Sequence, residues 1–327
     1  MKLAERCDIC GCDEHRIIYK RKWDYAYDLV QCDDCRLISI YPKQPSQKLQ
    51  EHYNLLNPLK GVIPEKDLGL ACKKIKRLNS PLGKAVLFAK GYGRGRKINF
   101  FSGCLGELLK KFTFKNILDF HGNGRILDIG CNTGLYLYML KNIGWEVFGM
   151  DLDKKACDTA RSLGIEVFAG FLKDAPYQDR FFDFVRFSHV IEHVDSPREL
   201  MQDVSRILKK DGRAYVAFPN QRSFAFYAFK HIWQGRGSHQ YAFSRKTFAA
   251  LCEKTGFKID KARVKSSTGA MVNSMIIWAK FQKSPFKDIT IAVAKSKLFK
   301  TFLVRPFCFI LDVFGLGDVF EAELRLR

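Results

Sequence analysis

The chain has 327 residues, 47% of them hydrophobic and 27% charged, the balance of a folded globular protein, which excludes a disordered or low-complexity chain. No segment reaches the roughly 18 uninterrupted apolar residues of a membrane span, and Met1 to Arg6 lack the apolar run of a secretory signal, so a cytoplasmic location with reduced thiols is expected. The formal charge of +21 is concentrated on two flanks: residues 55–124 carry fourteen Lys/Arg against four Asp/Glu, and 280–306 seven against one.

Such flanks favour an anionic partner (nucleic acid, an acidic bilayer surface or a phosphorylated substrate), unless the lysines are simply a solvated face. Eleven cysteines in a reducing compartment are metal ligands, core or loop residues rather than a disulfide frame.

In chain order, residues 1–53 read as a short-stranded, Cys-punctuated module. Cys7-x2-Cys10 and Cys32-x2-Cys35 form two knuckles separated by 21 residues, the spacing of a four-thiolate zinc site whose role is folding energy. Cys12 and His15 stand close enough in sequence to compete as ligands. Bases and aromatics such as Arg16, Tyr19, Lys20 and Trp23 leave nucleic-acid binding open. Pro42 to Ser46 mark a boundary leading into a polar helix. Residues 54–120 form a basic, helical linker or cap, with a helix over 101–114 and a glycine-rich loop at Gly91 to Arg96.

From residue 121 onward, short apolar runs alternate with helical segments, the signature of βαβ units in a doubly wound, mostly parallel α/β sheet. The runs are 125–129, 146–150, 165–169, 182–187, 213–218 and 257–264, and an alternating run over 319–326 adds a last strand. Ser196 as N-cap, Pro197 and Glu199 open a helix that is predicted to stop at Asp211-Gly212. Gly144, Gly164 and Gly256 fall where helices hand over to strands. The insertion at about 280–316, with its apolar and cationic stretch over 289–314, is predicted either to lie on a membrane face or to pack on the sheet.

The sharpest local signal is Asp128-Ile129-Gly130-Cys131-Asn132-Thr133-Gly134, a strand end and glycine-bracketed turn before a helix. Glycines let backbone approach a ligand there. Asp151 ends the next strand, 17 residues after Gly134, where a carboxylate can accept both hydroxyls of a ribose. The spacing is too short for the G-x-G-x-x-G of a dinucleotide fold.

With these motifs in order, residues 125–257 resemble the catalytic core of the class I S-adenosylmethionine-dependent methyltransferases, in the branch similar to ubiquinone-biosynthesis O-methyltransferases. The resemblance implies a seven-stranded Rossmann-like sheet. It implies cofactor contacts from Asp128, Gly130, Cys131, Asn132, Thr133, Gly134, Asp151 and Leu152, from the adenine-side loop Phe171-Leu172, and from Ser188 at the end of the fourth strand. Asn132 replaces the family's usual glycine and tolerates positive φ. His189 is the expected general base and His239 the expected acceptor-pocket residue. Glu192 and His193 stand where some quinone O-methyltransferases hold a metal, although His189 replaces the first acid of that set. Tyr227 and Trp233 are candidate pocket walls.

The segment up to Tyr53 resembles the zinc-binding leader of many bacterial methyltransferases, some acting in sugar and polysaccharide modification. The expected reaction is therefore methyl transfer to a small acceptor, anionic and sugar-, nucleotide-sugar- or lipid-linked, with structural zinc and peripheral contact at the inner membrane face. RNA methylation through the zinc module and basic flank is the alternative, although no Asp/Asn-Pro-Pro-Tyr/Phe motif follows the fourth strand. A non-catalytic membrane-surface scaffold would have no reason to keep Asp151.

Overall fold

The computed structural model describes residues 6–20, 28–45, 61–93, 100–110, 113, 117–229, 239–281 and 287–327. The polar helix expected after Ser46, Arg94 to Arg96 of the glycine-rich loop, Trp23 and Trp233 lie outside them.

The strands are β1 (His15–Tyr19), β2 (Asp28–Cys32), β3 (Ile38–Tyr41), β4 (Arg125–Ile129), β5 (Glu146–Asp151), β6 (Glu166–Ala169), β7 (Phe182–Ser188), β8 (Leu208–Pro219), β9 (Tyr241–Ala242), β10 (Phe257–Lys265) and β11 (Val319–Leu326). Seven of them form one sheet in the order β10-β11-β8-β7-β4-β5-β6. Its β4, β5, β6, β7 and β8 pair in parallel, while β11 inserts antiparallel between β8 and β10. This is the doubly wound, mostly parallel sheet expected from runs such as Val147 to Met150 that are apolar throughout because both faces are covered.

One face carries Val185, Phe187, Val216, Phe218 and Phe320 against Met201, Val204, Phe248 and Leu251 of the helices Pro197–Ile207 and Arg245–Lys254. Phe218 stacks 4.8 to 5.4 Å from the rings of Phe243, Phe248 and Phe320. Each such ring buries enough area for roughly 2 to 3 kcal/mol of transfer free energy. The other face holds Trp145, Phe184, Leu137 and Ala160. Ser196 caps the first of these helices, its Oγ accepting from the Glu199 N–H at 3.1 Å, as the sequence predicts. Gly144, Gly164 and Gly256 adopt φ of 108°, 72° and 79°, the left-handed helix exits expected of them.

Three boundaries differ from expectation. The helix begun by Pro197 ends at Ile207, not at Asp211-Gly212, because Leu208 already pairs with Phe182 and Lys209 reaches back to Asp183 at 2.7 Å. The helix expected over 101–114 runs Phe100–Leu109, and two more helices, Glu65–Leu78 and Pro81–Ala89, occupy the basic segment. Residues 165–169 contribute a strand only from Glu166, since Ile165 bonds back to Ala160 in the preceding helix exit.

The cysteine-bearing strands form a second sheet, β1-β2-β3-β9, whose last strand comes from the middle of the catalytic domain. Ile38 pairs with Ala242 and Ser39 with Tyr241. Ile9 and Leu37 join the same buried cluster as the main sheet. Between β10 and β11 stand the helices Thr268–Phe281, Lys287–Lys295, Lys297–Phe299 and Arg305–Val313, with a π-turn over Lys300–Val304. They close around their own small core of Met271, Val272, Ala294, Val304, Cys308 and Leu311, at the carboxyl end of β8, instead of lying across the sheet. No described helix is long and apolar enough to cross a membrane.

Candidate active site

The turn after β4 is built from left-handed backbone: φ is 71° at Gly130, 51° at Asn132 and 71° at Gly134. A Cβ on Gly130 would stand 2.6 Å from Val190 Cγ2, so only glycine allows that approach. The N–H groups of Gly130 and Cys131 donate to the Met150 carbonyl at 2.7 and 2.9 Å, tying the turn to β5. Asp151 completes the tie. Its Oδ2 accepts from the Asn132 N–H at 2.8 Å and its Oδ1 from the Asp153 N–H at 3.0 Å. Each carboxylate oxygen has lone pairs beyond these bonds, so the acid is held in place with capacity to accept further hydrogen bonds.

Asp128 lies one layer deeper. It is 1% exposed and accepts from Arg186 Nη1 at 2.7 Å. Burial drives its pKa up, against the opposing pull of the Arg186 guanidinium, and the Asp151 charge adds to the rise. The two acids are therefore neighbours under one turn. Cys131 is buried, its thiol pushed up by burial, and a Cβ on Gly149 would meet its Sγ at 2.8 Å. Its side chain wedges turn against strand, leaving backbone for a ligand. Thr133, Leu152 and Phe171 are half-buried around the same edge, Leu172 packs into the core from a short 3-10 turn, and Ser188 ends β7 beside them. An adenosyl group fits the chemistry of this arrangement: a glycine-bracketed, left-handed turn ends β4, and the near-buried Asp151 carboxylate beneath it keeps lone pairs to spare.

His189 follows directly, with φ of 57°, an uncommon conformation for its residue type. Its N–H is held by the Ala217 carbonyl at 2.7 Å, and its Nδ1 faces Glu192 Oε1 at 3.2 Å. An ionised Glu192 fixes the proton on Nδ1 and leaves Nε2 as the basic nitrogen. Burial opposes charge on the imidazole, but the Glu192 carboxylate outweighs it and raises the His189 pKa. Glu192 itself is 1% exposed; burial would raise its pKa, yet the bond from His189 and the nearby imidazoles of His193 and His239 hold it down. His193 and His239 meet edge to face at 4.7 Å between ring centres. Donor atoms of Glu192, His193 and His239 all lie within 4.8 Å of one another, two imidazoles and a carboxylate that suit a divalent transition metal. His239 thus joins Glu192, whereas the half-exposed His189 faces the cleft. Tyr227 is 60% exposed on its helix and walls neither group.

That cleft was not legible beforehand. Past β7 the sheet face opposite the Phe218 core carries Arg186, Tyr215, Glu321, Glu323, Lys261 and Arg263, which sit side by side in register. A cavity of about 780 Å³ opens over them, running from Ser188 and His189 to Lys90 and Lys110. Six of its lining residues are Lys or Arg and three are acidic: Asp119, Glu321 and Glu323. Arg186 also lies over the Tyr136 ring at 4.5 Å. The one signal in sequence was an arginine, Arg186, among the apolar residues Phe184, Val185 and Phe187 of β7.

The four cysteines converge. Sγ atoms of Cys7 and Cys35 are 3.5 Å apart, those of Cys10 and Cys32 3.4 Å, and all four lie within 4.8 Å of one another. Tetrahedral zinc with about 2.3 Å bonds to sulfur sets neighbouring sulfurs roughly 3.8 Å apart, so the donor set fits the ion. Cys12 instead bonds locally to Glu14, and His15 to the Asp13 carbonyl. Asp8, between Cys7 and Cys10, accepts from Ser196 Oγ at 2.8 Å and the Arg198 N–H at 2.9 Å, locking the module onto the catalytic domain.

Sheet order, glycine turn and paired acids together define a class I S-adenosylmethionine-dependent methyltransferase. The family model described as methyltransferase domain matches residues 94–262, and the chain belongs to that family. Among curated relatives, it is 28% identical over 141 residues to an uncharacterized protein of Methanocaldococcus jannaschii, covering 42% of this chain and 67% of that one. It is 27% identical over 164 residues to the ubiquinone biosynthesis O-methyltransferase of Parvibaculum lavamentivorans, covering 46% and 63%. A match to the biotin biosynthesis bifunctional protein of Cellvibrio japonicus, 33% identical over 96 residues, covers 28% of this chain and 19% of that protein. The chain thus spans about two thirds or less of these relatives' own lengths. Of solved structures, a methyltransferase of Archaeoglobus fulgidus aligns with a TM-score of 0.44 at 22% identity, covering 68% and 94%. One from Thermotoga maritima, described as a possible histamine N-methyltransferase, aligns at 0.44 and 20%, covering 67% and 89%.

Proposed function

We propose that the chain methylates a small anionic acceptor, of the phosphorylated or lipid-linked sugar kind, seated in the cationic cleft on the open sheet face with its reactive atom at His189. The observation that carries the reading is that cleft, whose excess of Lys and Arg over acids leads to the carboxyl end of β7. When bound, S-adenosylmethionine supplies a methyl group already activated by a positive sulfur. The protein's work is then alignment and proton handling. Asp151 and the Gly130 to Gly134 turn hold the ribose and methionine ends, with Leu152, Phe171 and Leu172 toward the adenine. Lys90, Lys110 and Arg263 attract the acceptor's negative groups, and His189 Nε2 takes the proton its reactive atom gives up. Glu192 stabilises the imidazolium that results. The four-thiolate cluster holds zinc as a structural clamp.

The test is transfer of labelled methyl from S-adenosylmethionine into fractionated cell extract. The expected label appears in anion-exchange-retained small molecules or lipids and is lost in a Lys90→Glu/Arg263→Glu variant that still binds cofactor. Label confined to RNA, or retained in that variant, would overturn the acceptor assignment.

A further inference from the structure

We propose that the helical excursion between β10 and β11 is a docking surface for an anionic lipid bilayer, entered from one side without being crossed. A surface helix of a globular protein normally turns its apolar stripe inward and a polar face outward. Here the inward stripe is in place: Val304, Cys308 and Leu311 are buried against Met271 and Ala225. Yet the outward side is apolar too. Leu298 is 71% exposed, Phe302 70%, Phe309 69%, Val313 68% and Phe314 72%. The preceding helix does the same, with Ala294 buried and Ile289 and Val293 exposed. Eleven of the 21 large exposed hydrophobics among the described residues fall between Ile289 and Leu316. Scattered apolar side chains need no explanation, but such a concentration marks a contact surface.

Charge selects the occupant. Between residues 287 and 316 stand Lys287, Lys295, Lys297, Lys300 and Arg305 against Asp288 and Asp312. No ion pair among the described residues engages Lys295, Lys297, Lys300 or Arg305. Phe and Leu flanked by unpaired lysines suit the boundary between acyl chains and anionic headgroups. A second copy of the chain in a two-fold dimer would set this cationic face against itself. RNA would use the cations and some rings but gains nothing from exposed Leu, Ile and Val.

The position is consistent with delivery of substrate. Ser266, Ser267 and Val319 bracket the excursion in sequence and also line the cleft below His189. A bilayer on this face would bring a headgroup-borne acceptor to the mouth of the cleft. The docking surface itself does not depend on which acceptor is used.

The experiment is flotation of the full-length protein with vesicles of equal parts phosphatidylglycerol and phosphatidylcholine, beside pure phosphatidylcholine vesicles. The unmodified protein is expected to float with the anionic vesicles. Phe302→Asp with Phe309→Asp is expected to lower the bound fraction by about tenfold or more, and Lys297→Glu with Lys300→Glu to abolish the preference for anionic lipid. Calorimetric S-adenosylmethionine binding, unchanged in each variant, shows an intact fold and reads the methyltransferase assignment separately. The proposal is overturned if the unmodified protein stays with the unbound fraction, or if the Phe variant floats equally well. It is also overturned if gel filtration shows a dimer that the Phe variant dissolves while vesicles bind neither.

Discussion

Replacing Asp151 by Asn probes the adenosyl slot directly. The carboxylate accepts two backbone N–H groups, from Asn132 at 2.8 Å and Asp153 at 3.0 Å, before any ligand arrives. An amide of the same shape offers one acceptor oxygen and one NH2, so whichever way it turns, one backbone N–H meets a donor and one ribose hydroxyl loses a charged partner. Hydrogen bonds to a charged group contribute about 1.5 to 3 kcal/mol each. Losing one, with the other made to a neutral acceptor, gives roughly 2 to 4 kcal/mol, or a Kd weakened about 30- to 1000-fold. Isothermal titration with S-adenosylmethionine measures this. Asp153→Ala is the control: it removes the helix cap on Ala156 at 3.1 Å, so stability falls by about 1 kcal/mol while affinity holds. An Asp151→Asn protein binding within about threefold of the unmodified one would refute the reasoning, leaving Asp151 as a turn anchor with no ribose to hold.

Cys32→Ser should empty the thiolate cluster: metal analysis is expected to fall from about one zinc per chain to none, and unchanged content would remove the four-thiolate proposal. His189→Asn keeps a residue tolerant of φ near 57° but lacks the base, so kcat should drop by about a hundredfold or more. In the unmodified enzyme kcat/KM should rise with pH as the raised His189 pKa is passed, and a variant with the same pH profile would exclude the base. Asp318, 2% exposed, has its pKa pushed up by burial to about 6. The folded state then holds a proton that the unfolded chain releases, so stability should increase as pH falls from about 6 toward 4. Asp318→Asn, still able to accept from the Ser267 N–H, should stabilise the protein at pH 8 by up to roughly 3 kcal/mol. Urea unfolding at pH 8 and pH 5 reads both effects, and a loss of stability in the variant at pH 8 would contradict the burial argument.

What could be read in advance was whatever depends on neighbours in the chain. Ser196, Gly144 and Gly164 act within a few residues of themselves, and the turn at Gly130 to Gly134 needs only its own torsions. The cysteine pairs were legible because each knuckle is local and zinc chemistry supplies the remaining constraint. The cleft was not, since Arg186, Tyr215, Glu323 and Lys261 come together only through the register of four strands, one of them antiparallel to the rest. The helix stop at Ile207 was misplaced for the same reason. Asp211-Gly212 is a sound local stop signal, but the pairing of Leu208 with Phe182 ends the helix earlier, a long-range contact overriding a propensity.

The cysteine module looks dispensable in sequence, yet the fold makes it part of the site. Its strand β3 pairs with Tyr241–Ala242, and the Ile40 N–H donates to the Gln240 carbonyl at 3.0 Å. The same short segment receives two further bonds from the other side: the N–H groups of Gln240 and Tyr241 both reach the Glu192 carbonyl, at 2.7 and 3.1 Å. Residue 239 is thereby held between the module and the loop after β7, which is why its imidazole meets His193. Asp8 closes the circuit, its carboxylate held by Ser196 and Arg198 at the start of the helix that follows that loop. The cysteine module therefore fixes both the loop carrying Glu192 and His193 and the segment carrying His239. Folding energy spent in the module becomes positional precision beside His189, where alignment is the chemistry.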